Sequence, residues 1–285
     1  MKRIVITTVL FLLPLFSMLA QSTLLESKKF NSKILNKEVA YSIYLPDDYN
    51  TSTRNYPVLY LLHGWSDDET SWVQIGNVKD IADKSIKEGN AVNMIIVMPN
   101  AEETWYVNSF DKKERYEDMF FEELIPYIES NYRARAEKQF RAISGLSMGG
   151  YGSFLYSLHH PDAFAACAPL SAAVYTDETL SKDKESVRGK LFKKLYGTDI
   201  NYWHDNSVLF LMENLKEGTQ VSTRYYIDCG DDDTLLHGNN IIHEIMQQKG
   251  IKHEFRVRDG GHSWTYWRTA LPTVLEFISQ RFQRS

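Results

Sequence analysis

Only two cysteines, Cys167 and Cys229, occur in 285 residues, and each lies inside an apolar stretch that reads as a buried strand. The chain holds enough apolar material to build a core without cross-links, so the pair reads as buried free thiols, with a single disulfide as the alternative. The cysteines have no spacing that suits metal binding by thiolates, and the run Asp231, Asp232, Asp233 lacks the ligand spacing of a calcium-binding loop, so no metal is expected. A long basic run is also missing: Lys and Arg are scattered and the formal net charge is -5, which argues against a nucleic-acid partner. The one long apolar run, over 4–19, is shorter than the ~20 residues that span a bilayer and contains Pro14. No cysteine follows it to carry a lipid, so a stable membrane anchor is not expected.

That apolar run has another reading. Lys2 and Arg3 precede it, Ala20 and Ser22 follow at the spacing of an A-x-S cleavage site, and the chain turns polar at Gln21. These are the parts of a secretory signal over 1–22, which predicts a secreted or periplasmic protein. Loss of Lys2 and Arg3 takes the formal charge to about -7, that of a mildly acidic exported protein. Residues 23–285 show no repeat, low-complexity tract or linker rich in Pro, Gly or Ser, and 43% of the whole chain is hydrophobic and 24% charged. Such a stretch is expected to fold as one domain.

Short apolar or alternating runs predict strands over 41–45, 58–62, 94–98, 140–144, 165–170, 225–229 and 254–257. Apolar residues at helical spacing predict helices over 78–87, 116–132, 148–160, 241–246 and 271–282, with Pro126 and Pro272 kinking or starting helices. Strands alternating with helices predict an α/β fold, a mainly parallel central sheet with helices on both faces. The near-continuous runs VLYLL and MIIVM suit central strands covered on both sides. The least regular stretch, 171–217, falls between two core strands and is expected to be an insertion near the carboxyl ends of the strands, where open α/β sheets place their ligands.

At the end of the strand predicted over 140–144, Gly145, Ser147 and Gly149 spell G-x-S-x-G, and a helical segment follows. In a strand-turn-helix context this pattern holds the serine on a strained turn with its hydroxyl projecting as a nucleophile. A serine hydroxyl is weak unless a base takes its proton and an acid orients that base. The order Ser, acid, His is available: YYIDCG leads into Asp231, Asp232 and Asp233, and HEFRVRD leads into GGHSW, where two glycines aim His262. Spacing alone does not choose among the three aspartates. His159, His160, His204, His237, His243 and His253 read as surface or capping residues, and His63, at a strand end before Gly64, as a structural hydrogen-bonding residue. Two backbone N–H groups should receive a developing oxyanion, that of Met148 after the nucleophile and that of Trp65 in VLYLLHGW.

The segments YLLHGWSDDETSW (60–72), VMPNAEETWY (97–106), GLSMGGYGSF (145–154), DCGDDDTLLHGN (228–239) and GGHSWTYW (260–267) together resemble the esterase D-like esterases. These include feruloyl and acetylxylan esterases of carbohydrate esterase family one, S-formylglutathione hydrolases and mycolyltransferases. The resemblance runs in order over nearly all of the chain after the signal. It implies an α/β-hydrolase fold, no cofactor, Ser147 as nucleophile, His262 as base, and Trp65 and Met148 as oxyanion amides. It also implies that the acid closes a C-G-x-x-D turn, which selects Asp233, with Asp232 as the fallback. The export signal counts against the cytosolic S-formylglutathione branch, so the substrate it implies is a feruloylated or acetylated polysaccharide such as plant cell-wall xylan. Trp105, Tyr106, Trp264, Trp267 and Trp65 fall near predicted strand ends as candidate stacking faces for a phenolic acid or sugar. Alternatives within the fold are an acetylxylan or other short-acyl esterase, or an acyltransferase. An alternative of another class is a carbohydrate-binding protein on an esterase scaffold.

Overall fold

The computed structural model describes residues 21–182, 185–216, 219 and 221–283. The segment read as an export signal lies outside the described residues except for Gln21 and Ser22, and part of the charged run in the 171–217 insertion lies outside them as well.

Among the described residues, eight strands form one sheet: β1 (Thr23–Ser32), β2 (Lys37–Leu45), β3 (Val58–Leu62), β4 (Ile95–Pro99), β5 (Arg141–Leu146), β6 (Ala166–Leu170), β7 (Arg224–Gly230) and β8 (His253–Arg258). Their order is β1-β2-β4-β3-β5-β6-β7-β8. β1 and β2 run antiparallel at one edge, and every pairing from β4 to β8 is parallel. β1 has no counterpart among the predicted strands. It is an edge strand, its middle residues Glu26 to Lys29 are exposed, and its pairing slips between Leu25 and Lys28, so it carries no clean alternation.

The helices are α1 (Ser71–Gln74), α2 (Val78–Lys87), α3 (Tyr116–Met119), α4 (Ile125–Asn131), α5 (Met148–His159), α6 (Asp177–Lys182), α7 (Val187–Tyr196), α8 (Ile200–Asp205), α9 (Val208–Glu213), α10 (Leu236–Gln248) and α11 (Trp264–Gln283). The single helix expected over 116–132 is instead α3, a π turn over Phe120–Leu124, and α4. Pro126 lies in the first turn of α4, where its missing N–H costs least, and the π turn resets the hydrogen-bond ladder just before it. Pro272 lies inside α11, which continues through it to Gln283.

β3 shows why the sheet is buried on both sides. Val58, Tyr60 and Leu62 belong to the core beneath α5, while Leu59 and Leu61 belong to the second core beneath α2 and α11. All five are fully buried, so an unbroken apolar run reads correctly as a central parallel strand. Both cysteines are buried free thiols. No described helix is long and apolar enough to cross a membrane.

Candidate active site

β5 delivers the chain to Ser147 and α5 carries it away, and the turn between them is tight. Ser147 has φ 54° and ψ -113°, a conformation that L-residues with side chains rarely adopt. Its N–H donates to the Leu170 carbonyl at 2.9 Å, and its carbonyl accepts from Ala173 N–H at 3.0 Å, so the neighbouring β6 holds the strained residue in place. The turn needs glycine at 149: a Cβ there would lie 2.6 Å from the Leu62 carbonyl oxygen and 2.7 Å from that of His63.

Two loops converge on this hydroxyl. His262 Nδ1 donates to Asp233 Oδ2 at 2.8 Å, which leaves Nε2 to accept from Ser147 Oγ–H at 3.0 Å. The Asp233 side chain is fully buried and its other oxygen accepts from Leu235 N–H at 2.9 Å. Burial pushes the Asp233 carboxyl up, but the hydrogen bonds from His262 and Leu235 N–H outweigh it and hold the group below its ordinary range. Asp233 therefore stands as an anion beside the imidazole. Asp231 and Asp232 are exposed and tie the two loops together: Asp231 N–H donates to the Arg258 carbonyl, Asp232 N–H to that of Gly260, and Gly260 N–H to Asp231 Oδ1. With Asp259 they are the described carboxylates close enough together to share a cation, all exposed, a common surface arrangement without one.

The third side of the site is the loop after β3. A Cβ on Gly64 would come within 3.6 Å of Ser147 Cβ, so this loop lies against the nucleophile turn. Among the described residues, the N–H groups of Trp65 and Met148 donate to no acceptor. His63 fixes the loop from beneath: its Nδ1–H donates to the Gly64 carbonyl and its Nε2 accepts from Ala101 N–H, both at 2.8 Å. Acceptance at Nε2 requires the neutral imidazole, and burial lowers its pKa to about 4. Tyr106 completes the support by donating its hydroxyl to the His63 carbonyl at 2.9 Å.

The candidate stacking residues divide. Trp105, Tyr106 and Trp267 are 2%, 0% and 4% exposed, so they offer no open face and are corrected to packing residues. Trp105 stands edge-on to Phe192, with ring centroids 4.6 Å apart, and joins α7 to the Tyr151 ring on α5. Both Trp105 and Tyr106 have positive φ, which bends the chain inward and buries the pair. Trp267 stands edge-on to the His262 ring at 4.9 Å and donates its Nε1–H to Ser171 Oγ at 3.0 Å. Trp264 and Trp65 are half-buried, and Trp65 Nε1–H donates to Glu103. The described residues of the insertion form α6 to α9, and α6, α7 and α8 surround a cavity of about 430 Å³ whose wall includes Phe192, Tyr196 and Trp203. Neither Ser147, Asp233 nor His262 lines that cavity.

No sequence signal marks Ser171, or the cluster in which His159 Nδ1 and His160 Nε2 both meet Glu117 Oε1 at 2.8 Å. The two histidines are adjacent, but their partner is more than forty residues away, a pairing that spacing cannot reveal.

The match to known proteins agrees with this geometry. The family model described as "Putative esterase" matches residues 32–278. The chain is 24% identical over 264 residues to an acetyl esterase of Caldicellulosiruptor saccharolyticus, covering 88% of this chain and 96% of that one. It is 29% identical over 258 residues to an endo-1,4-beta-xylanase/feruloyl esterase of Xylanibacter ruminicola, covering 87% of this chain and 30% of that longer protein. Among solved structures, a ferulic acid esterase superposes with a TM-score of 0.82 and 36% identity, over 92% of this chain and 99% of the other.

Proposed function

The chain belongs to the esterase family, with an α/β-hydrolase fold and carboxylesterase activity, and from that premise we propose that it is an exported feruloyl esterase working through Ser147, His262 and Asp233. The observation that carries the mechanism is the continuous relay from Ser147 Oγ through both nitrogens of His262 to Asp233, at 3.0 and 2.8 Å, beside two N–H groups without acceptors.

In this mechanism Ser147 Oγ attacks the ester carbonyl carbon as His262 Nε2 takes its proton, and Asp233 stabilises the imidazolium that forms. The carbonyl oxygen becomes an oxyanion received by the N–H groups of Trp65 and Met148, and the second of these opens helix α5, whose dipole favours negative charge there. Collapse breaks the bond to the alcohol oxygen, which leaves with the proton held by His262, and the acyl group stays on Ser147. Water then repeats the sequence: His262 takes its proton, the hydroxyl attacks the acyl carbon, and the acid is released with Ser147 regenerated.

The feruloyl assignment rests on similarity to a ferulic acid esterase over nearly its whole length and to a protein that joins xylanase and feruloyl esterase activities. Residues 1–22 would direct export, and 23–285 would act as one domain on feruloylated xylan. A short-acyl specificity is the second reading, favoured by the acetyl esterase relative. Comparing kcat/KM on methyl ferulate, p-nitrophenyl acetate and acetylated xylan separates them. Preference for methyl ferulate supports the first reading, and a preference for acetyl esters with no ferulate release overturns it.

A further inference from the structure

In the first turn of α10 stands an amide side chain that the mechanism above does not use. Asn239 is fully buried, and its Nδ2 donates to the Ala172 carbonyl and to the Leu235 carbonyl, both at 2.9 Å. Each of these carbonyls belongs to a peptide unit whose N–H reaches a member of the relay. The unit joining Ala172 to Ala173 donates from Ala173 N–H to the Ser147 carbonyl at 3.0 Å, and the unit joining Leu235 to Leu236 donates from Leu236 N–H to the Asp233 carbonyl at 2.9 Å. One side-chain nitrogen is thus linked through a single peptide unit to the backbone of the nucleophile, and through another to the backbone of the acid. Leu235 N–H adds a tie to the carboxylate itself, at Asp233 Oδ1. The helix comes close enough for this only because residue 238 is glycine: a Cβ there would collide with the Val174 carbonyl oxygen. Asn239 Oδ1, by contrast, is buried with no hydrogen-bond partner among the described residues. A buried amide oxygen left unpaired is costly, and an apolar side chain would avoid that cost. What only the amide supplies is an NH2 group with both protons placed on carbonyls.

We propose that Asn239 is a positioning residue for the relay: by joining the peptide unit behind Ser147 to the one behind Asp233, its amide fixes the separation that His262 has to span. The imidazole is rigid. It meets Ser147 Oγ at 3.0 Å and Asp233 Oδ2 at 2.8 Å together only if hydroxyl and carboxylate are held at the matching distance. Ser147 and Asp233 follow β5 and β7, which are separated in the sheet by β6. The β6–β7 ladder ends with Leu170 opposite Asp228, and Ser171 N–H still donates to the Asp228 carbonyl at 2.8 Å; beyond that point Asn239 carries the connection. A displacement of about 1 Å at a reacting group can lower a rate about 100-fold. Because the Ser171 tie survives loss of the amide, a smaller effect, about tenfold, is expected.

This inference rests on the proposed roles of Ser147, His262 and Asp233, and the variants keep the two apart. Steady-state hydrolysis of p-nitrophenyl acetate is measured for the wild type, Ser147→Ala, Asn239→Ala, Asn239→Ser and Ile242→Val, each well below its melting temperature. Asn239→Ala is expected to lower kcat about tenfold with KM unchanged, because the amide acts on the relay and not on the substrate. In Asn239→Ser the hydroxyl can donate to the Leu235 carbonyl one turn back, as Ser153 does to the Gly149 carbonyl in α5 at 2.7 Å, but is too short to reach Ala172. It should lose as much activity as Asn239→Ala, and it carries the test should Asn239→Ala fail to fold. Ile242→Val removes a fully buried methyl group from the same helix, and is expected to lower the melting temperature while leaving kcat and KM at wild-type values. Wild-type kcat in Asn239→Ser overturns the proposal, since the bond to Ala172 is then dispensable. So does an equal loss in Ile242→Val, which would make any loosening of α10 sufficient, or a rise in KM at constant kcat. Activity that survives in Ser147→Ala overturns the underlying relay instead.

Discussion

The buried imidazole of His63 makes stability depend on pH in a way that can be calculated. His63 is 1% exposed; its Nδ1–H donates to the Gly64 carbonyl, and the Ala101 N–H that donates to its Nε2 needs the neutral form. Burial lowers its pKa from 6.5 to about 4, so between those values the unfolded chain takes up a proton that the folded chain refuses. The stabilisation is therefore complete above about pH 6.5 and is lost progressively as pH falls to about 4, below which both states are protonated. At about 1.4 kcal/mol per pH unit the whole window corresponds to about 3 kcal/mol. His63→Gln removes the titrating group. It is expected to be less stable than the wild type at neutral pH by about 1–3 kcal/mol for each buried partner it fails to satisfy. Urea unfolding of both proteins at several pH values gives the test: the gap should close by about 3 kcal/mol between about pH 7 and pH 4. A gap that stays constant across that range would refute the assignment of His63 as a buried neutral strut.

Three further outcomes are expected. Gly149→Ala places its Cβ 2.6 and 2.7 Å from two backbone oxygens that cannot swing aside, so it should cost about 1–3 kcal/mol and lower kcat by displacing the loop that carries the Trp65 amide. A wild-type melt and turnover would contradict this. Burial raises the Glu117 carboxyl, but His159 and His160 outweigh it and bring it to about 2, while burial lowers His159 and Glu117 more than restores it, to above its ordinary value. The pair's stabilisation is then greatest between 4.5 and 6.5, fading as pH rises through the raised His159 value or falls through about 2, so Glu117→Gln should cost about 3 kcal/mol near pH 5.5 and less near pH 9. Equal losses at the two pH values would count against the pair. Because the base must be a neutral imidazole, ester hydrolysis should fall on acidification, and a rate that does not fall in acid would contradict it.

What was legible in the sequence follows from how local its cause is. β3 and α2 were readable to the residue because each carries its own periodicity: five apolar residues in a row for a strand covered twice, and a repeating apolar stripe for a helix covered once. The strand-turn-helix around Ser147 was equally legible, since glycine at 149 answers to a contact its own turn creates with the end of β3. β1 was not, because an exposed edge strand with a register slip has no pattern to show. Spacing also left Asp231, Asp232 and Asp233 equivalent; only the third turns inward to His262, while the first two face solvent and lace the loops. The aromatic residues misled for a related reason. Trp105, Tyr106 and Trp267 lie near strand ends as expected, but positive φ at the first two and the indole bond of the third turn them into the core, and neither feature is written in residue type.

In the proposed mechanism Ser147 is the residue acylated during turnover. Reaction with one equivalent of an organophosphonate, followed by mass mapping of the labelled peptide and assay of residual ester hydrolysis, tests it most directly. A single adduct on Ser147 is expected, formed in proportion to the activity lost and absent from Ser147→Ala. An adduct on another residue, or full hydrolysis by a protein quantitatively labelled at Ser147, would contradict it.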